Sequence, residues 1–141
     1  MKEQQIASDL RAVLGSLVRS ARHTDDMPAA QAAALGFLDR EGPMTTSELA
    51  ARQQVRHQSM ARAVGRLLEQ GLADQQPHPE DRRKVLITLT EPGRRALYAR
   101  RERRADWLAE AIAAELSAAE QQRLADCVDL LGRLAAHGSG R

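Results

Sequence analysis

Residues 77–90 read PHPEDRRKVLITLT. Two prolines and an acidic pair lead into three consecutive cations, Arg82, Arg83 and Lys84, after which the chain turns to an apolar run from Val85 to Leu89. Proline fixes its own backbone angle and offers no N–H, which suits a turn, whereas β-branched and aliphatic residues suit a pleated strand. The stretch therefore predicts a charged hairpin tip feeding a strand over Val85–Leu89, with Leu72–Gln76 as the partner strand. Alone, such a tip reads more readily as a solvated turn. Its neighbours decide otherwise.

Immediately upstream, RHQSMARAVGRLLEQG (residues 56–71) places Met60, Val64, Leu67 and Leu68 on one helical face and Ser59, Arg62 and Arg66 on the other. That is the period of a helix with one buried side and one wet side. Gly71 stands where a helix commonly ends in a left-handed residue. Further upstream, Thr45 followed three residues later by Glu48 has the form of a capping box opening a short helix. Helix, turn, helix and hairpin in this order make a winged helix-turn-helix. A helix about 10–12 Å across fits the major groove of B-DNA, and a short hairpin beside it can reach the adjacent minor groove. On this reading Arg56, His57, Gln58, Ser59, Arg62 and Arg66 of the second helix meet base edges and phosphates. Asp81, Arg82, Arg83 and Lys84 form the wing tip.

The flanks are helical. Ile6, Leu10, Val13, Leu14, Leu17, Val18 and Ala21 recur at helical spacing over residues 3–22. Pro28 can open a second helix carrying Ala33, Ala34, Phe37 and Leu38 and closing at Gly42-Pro43. After the hairpin, Thr90-Glu91-Pro92 starts a long helix running to about Leu116. Ser117 and Glu120 form a second capping box, before a last helix with Leu124, Cys127, Val128, Leu131, Leu134 and Ala135 on its apolar stripe. The tail HGSGR is expected to fray. Cys127, on that stripe, is expected to behave as a small buried hydrophobe.

Charge is divided unevenly along this plan. Residues 45–104 hold 13 Lys and Arg against 7 Asp and Glu, a net +6, while the remainder holds 8 against 12, a net −4. A basic centre between acidic flanks points to a polyanion contact by the centre, although a solvated basic face gives the same count.

These residues resemble the MarR family of bacterial transcription regulators over nearly the whole chain. The segment DRRKVLITLT matches the family's wing signature of Asp-x-Arg, strand, and Leu-Thr, here Asp81, Arg83, Leu89 and Thr90. SELAAR (47–52), LLEQGLA (67–73) and the order of two helices before and two after the central unit accompany it. The resemblance implies a mainly α fold with a small β-hairpin wing, about six helices, and an intertwined homodimer. Residues 1–43 and 105–137 would supply dimerisation, 44–90 the DNA-binding unit, and 91–104 the start of a connecting helix. Arg83 would enter the minor groove with Asp81 orienting it, and the helix from Arg56 to Gln70 would read the major groove. The partners implied are double-stranded DNA, a second copy of the chain and a small-molecule effector, with repression of transcription as the expected outcome. Two positions depart from the family pattern: Gln53 and Gln54 replace an apolar residue and a glycine, and Arg56 replaces a small capping residue. A left-handed Gln54 would cost about 1 kcal/mol relative to glycine.

Other chemistries find little support. His23, His57, His78, Cys127 and His137 lack metal-ligand spacing, and no nucleophile elbow or phosphate loop frames the Ser, His and carboxylate residues. Neither an enzyme nor a cofactor protein is expected. No apolar run approaches the roughly 18 residues of a membrane span, so a soluble, cytoplasmic protein is expected. Phe37, Tyr98 and Trp107 would fit an effector cavity or ordinary core packing, and no ligand residue is assigned. The rival is a winged-helix module that presents the same surfaces to a protein partner without specific DNA binding.

Overall fold

The computed structural model describes residues 2–138, which form six α-helices and one two-stranded sheet. The chain divides into two compact units, Met1–Arg104 and Ala105–Arg141. In order, the elements are α1 (Lys2–Ala21), a 3-10 turn (Arg22–Thr24), α2 (Ala29–Glu41), α3 (Thr46–Gln53), α4 (His57–Glu69), β1 (Ala73–Pro77), β2 (Val85–Leu89), α5 (Glu91–Glu115) and α6 (Ala118–Gly138). No helix among the described residues is long and apolar enough to cross a membrane.

Helix boundaries follow local chemistry. Pro28 is the N-cap of α2, and Gly42 ends it at φ 84, a left-handed angle that glycine adopts without penalty. Thr45 caps α3 by accepting the Glu48 N–H at 3.1 Å, while the Glu48 carboxylate accepts the Thr45 N–H at 3.4 Å, completing the capping box. The C-terminus of α4 is a Schellman motif. Gly71, at φ 73, donates to the Leu68 carbonyl, and Leu72 donates to that of Leu67.

The core of the first unit is built around Leu35, Leu49, Met60, Leu67 and Ile87, all fully buried. One residue comes from α2, one from α3, two from α4 and one from β2, so a single aliphatic cluster ties the helices to the hairpin. Removing a side chain of this kind typically costs about 2–5 kcal/mol. β1 and β2 are antiparallel with Gln75 opposite Ile87 and Pro77 opposite Val85. A third backbone segment joins them at one residue, which the sequence pattern did not reveal. Met44 pairs with Ile87 through hydrogen bonds of 3.1 and 2.7 Å, fastening the entry to α3 onto the outer edge of β2.

The start of α5 is packed against the foot of the hairpin. Thr90 accepts the Gly93 N–H at 3.1 Å and donates its hydroxyl to the Gly71 carbonyl at 2.7 Å. Gly93 is buried so close to the Leu72 carbonyl that a Cβ there would overlap the oxygen and meet Leu89 Cδ1 at 2.9 Å.

Farther along α5, arginines clamp the link between α1 and α2. Arg104 holds Asp25 through two bonds of 3.0 and 2.8 Å, and Arg100 lies 3.3 Å from the same carboxylate. Arg103 donates to the Thr24 carbonyl at 3.1 Å and pairs with Asp26 at 2.8 Å. The Arg104 hydrogen bond holds the Asp25 carboxyl below its ordinary pKa, with the charge of Arg100 helping against the opposing effect of burial.

In the second unit, Ser117 and Glu120 cap α6 reciprocally at 2.9 and 3.2 Å. Two expectations are corrected here. His137 and Gly138 continue α6 instead of fraying, because Leu134, Ala135 and Ala136 are strong helix formers, while residues 139–141 lie outside the described residues. Cys127 is exposed and not buried, since the stripe it shares with Val128 and Leu134 is left uncovered in the single chain.

Two consequences are measurable. Gly93→Ala is expected to destabilise the fold by about 3 kcal/mol in urea unfolding, because the clash is with backbone that cannot step aside; a loss under about 1 kcal/mol would contradict this packing. Asp25→Asn is expected to lower stability by about 1–3 kcal/mol at neutral pH. The depressed carboxyl stabilises the fold fully above its unfolded value, near pH 4, and progressively less as pH falls through the folded value. The gap between wild type and variant should thus narrow in acid thermal melts. A constant gap from pH 7 to pH 3 would contradict the proposed ion pair.

Candidate nucleic-acid interface

α4 is buried along Met60, Ala63, Val64 and Leu67 and exposed along the opposite side. Arg56 at its N-cap, His57, Gln58, Ser59, Arg62 and Arg66 are all exposed, so the structure brings the six expected residues to one solvent-facing surface. Leu68, expected on the apolar face, is half-buried against the core. Arg56 adopts extended backbone and makes no side-chain cap, which leaves the first N–H groups of α4 without a side-chain acceptor from that residue. The turn before it carries the strain foreseen for it. Gln54 has φ 55 and ψ 43, and Val55 donates back to the Ala50 carbonyl at 3.0 Å.

At the hairpin tip, Arg82, Arg83 and Lys84 are exposed and Asp81 is half-buried. The Arg83 guanidinium reaches back to Asp81 through Nε at 3.2 Å and Nη2 at 3.3 Å, and its backbone N–H donates to the same carboxylate at 3.0 Å. These bonds, that of the side chain first, lower the Asp81 pKa, so the tip keeps its aspartate ionised. The Arg83 side chain is nevertheless 91% exposed. It is held in direction while remaining available.

Between the tip and α4 lies an open groove of about 610 Å³, lined among others by Thr46, His57, Gly65, Gln75, Arg83 and Lys84. Residues of α4 and of the hairpin thus share one concave surface, on which His57, Arg83 and Lys84 are the expected contacts present. Among the described residues, Arg56, Arg62, Arg66, Arg82 and Lys84 are exposed and have no acidic partner within ion-pair distance, and of these Lys84 lines the groove.

The cations of α5 behave differently, and the charge count along the sequence hid it. Arg94 binds Asp39 at 2.8 Å and Arg101 lies 3.6 Å from the same carboxylate, while Arg100, Arg103 and Arg104 are occupied by Asp25 and Asp26. Five of the cations counted in the basic centre are therefore engaged by three flank aspartates, which offset three of their five charges. Asp39, His78, Gly93 and the Met44–Ile87 pair are the features that residue spacing did not disclose. The two candidate cavity aromatics of the first unit are surface-adjacent: Arg40 stacks 5.1 Å from the Phe37 ring centroid, and the exposed Tyr98 carries its hydroxyl 3.4 Å from Asp39.

The MarR family profile matches residues 25–84, the span from the clamped loop to the wing tip. Over 132 residues the chain is 36% identical to an uncharacterized HTH-type transcriptional regulator of Mycobacterium bovis, covering 92% of each sequence. It belongs to the MarR family of transcriptional regulators. A Mycobacterium leprae HTH-type regulator is 33% identical over the same length. Among solved structures, a Pseudomonas aeruginosa protein superposes with a TM-score of 0.80 at 33% identity, over 95% of this chain and 96% of the other. A MarR family protein from Bacillus stearothermophilus superposes with a TM-score of 0.73 at 25% identity, over 96% and 99%. DNA binding and transcription regulation come with this membership.

The uncapped start of α4 yields a prediction. Arg56→Ser supplies a hydroxyl acceptor for the first turn and is expected to stabilise the fold by about 1 kcal/mol in denaturant unfolding. Unchanged or reduced stability would mean that the N-terminus of α4 already has its partners.

Proposed function

We propose that the chain acts as a homodimeric, sequence-specific regulator in which two copies bind a pseudopalindromic operator. The observation that carries this reading is the contrast between two sets of arginines. Five of the six arginines of α5 are drawn to aspartates, whereas, among the described residues, Arg62 and Arg66 of α4 and Arg82 of the wing face solvent with no acidic partner, and Arg83, held by its own Asp81, lines the groove with Lys84. Unpaired cations at this density repel one another and gain most from a polyanion.

In the proposed complex α4 lies in the major groove. Gln58, Ser59 and Arg62 meet base edges, while Arg56, His57 and Arg66 meet base edges or phosphates. The wing, with Arg83 set by Asp81 and flanked by Arg82 and Lys84, enters the neighbouring minor groove, whose narrow A·T-rich form suits a guanidinium. Residues 44–90 form the DNA-binding unit, residues 1–43 and 105–137 the dimerisation helices, and residues 91–104 the start of the connecting helix. The apolar face of α1, with Ile6, Val13, Leu14, Leu17 and Val18 exposed, supports this assignment, as does that of α6 with Val128 and Leu134. Apolar surface of this extent gains about 25 cal/mol for each Å² that a second copy covers.

A single reading helix spans too few base pairs for genomic selectivity, so two must engage half-sites about one turn of DNA apart. A small molecule or stress signal that alters their spacing removes one set of contacts and with it most of the affinity. Repression follows where the operator overlaps a promoter.

Titration of duplex DNA at several salt concentrations tests the reading. Affinity falling steeply with salt, together with preference for a palindrome selected from a random pool, is the expected result. Weak binding indifferent to sequence points instead to a module that presents its wing or outer helices to a protein. Within the same assay, Arg83→Ala should weaken binding by about 1–3 kcal/mol while sedimentation still gives a dimer. Wild-type affinity in that variant would remove the wing from the interface.

A further inference from the structure

We infer that His78 is a positioning residue for the wing: its Nδ1 organises the backbone from which Asp81 holds Arg83. The inference rests on the proposed role of Arg83 in gripping DNA and identifies what aims that side chain.

Strand pairing ends where Pro77 lies opposite Val85, so the segment from His78 to Lys84 must find partners for its N–H groups away from the ladder. It does so in a chain of caps. The Lys84 carbonyl accepts from the His78 N–H at 3.2 Å, and the Asp81 carbonyl accepts from the Lys84 N–H at 3.0 Å. His78 Nδ1 accepts from the backbone N–H of Glu80 at 3.1 Å and of Asp81 at 3.2 Å. Asp81 Oδ1 accepts from the Arg83 N–H at 3.0 Å, and the carboxylate then takes the guanidinium.

The two side-chain acceptors therefore act in series. The imidazole reaches over Pro79, which has no N–H of its own, and fixes the next two peptide groups. Fixing the Asp81 peptide sets the direction of its carboxylate, and that carboxylate sets the backbone and the side chain of Arg83. With two N–H groups directed at Nδ1, the neutral ring carries its proton on Nε2. His78 contributes here as a backbone acceptor, which separates it from Arg82 and Lys84 on the same loop. An arginine already restrained in the free protein loses less freedom on entering the groove, so the gain appears as affinity for the chosen site.

The test uses the full-length protein with a duplex that the wild type selects from a randomised pool, and a scrambled duplex as control. His78→Ala is expected to weaken binding to the selected duplex about tenfold, within the range of a lost wing contact, with melting temperature and scrambled-duplex binding near wild type. His78→Asn places Oδ1 where Nδ1 was and should restore affinity to within about threefold. In an Arg83→Ala background, His78→Ala should add no further loss. Nitrogen chemical shifts of the ring in the free protein should place its proton on Nε2. Wild-type affinity in His78→Ala, with Arg83→Ala still impaired, overturns this inference alone. Wild-type affinity in Arg83→Ala overturns the wing assignment and this inference with it. Additive losses in the double variant, or an Asn variant as weak as the Ala variant, give His78 a contact of its own and also overturn the positioning role.

Discussion

Two backbone hydrogen bonds between Met44 and Ile87 tie the hairpin to the entry of α3. Ile87 is the central residue of β2, paired on one side with Gln75 of β1 and on the other with Met44, the residue before the N-cap of α3. Its side chain is fully buried in the cluster that also receives Met60 and Leu67 from the inner face of α4. A displacement of the hairpin would therefore break backbone bonds and open the core together. Because close-packed interiors resist small distortions, the foot of the hairpin, at Ala73 and Ile87, is held at a fixed distance from α4. Fixed spacing is what a surface needs if it is to meet two adjacent grooves of one duplex.

Around that frame the chain separates its arginines into two populations by giving some of them carboxylates. Asp25, Asp26 and Asp39 lie outside the helix-turn-helix, yet they neutralise cations of α5 that follow the wing in sequence. The pairs have structural work. Those at Asp25 and Asp26 fasten the link between α1 and α2 to α5, and that at Asp39 fastens α2 to the start of α5. The unpaired population remains near the groove between α4 and the hairpin. Net charge averaged over the region concealed this division, since Arg62 and Arg104 count alike although one faces solvent and the other grips an aspartate.

The same separation bears on regulation. A helix that starts against the wing, at Thr90 and Gly93, and carries clamps for the α1–α2 link, at Arg100 to Arg104, joins the foot of the DNA-binding unit to the segment that leads from the first outer helix. Displacing that link would require breaking ion pairs largely removed from water, the Asp25 side chain being only 11% exposed. A shift of α5 along that link would break several of these bonds together.

Residue order alone determined the helical periods, the capping boxes at Thr45 and Ser117, the left-handed position at Gly71, and the alternation of apolar and cationic faces on α4, while the left-handed Gln54 was foreseen only through the family resemblance. Each is a property of a few neighbours along the chain, set by backbone sterics and local hydrogen bonds. The wing strand was legible for the same reason, and so were the exposed Arg62, Arg66 and Arg83. Tertiary structure alone decided which arginines stayed free, because Asp25 and Asp39 reach their partners across 79 and 55 positions of sequence. It also decided that Met44 would complete the sheet, that position 93 admits no Cβ, and that His78 would serve as a backbone acceptor within the wing. Those outcomes depend on distances between segments far apart or on the path of a loop, quantities that only the closing of a shared core brings into existence.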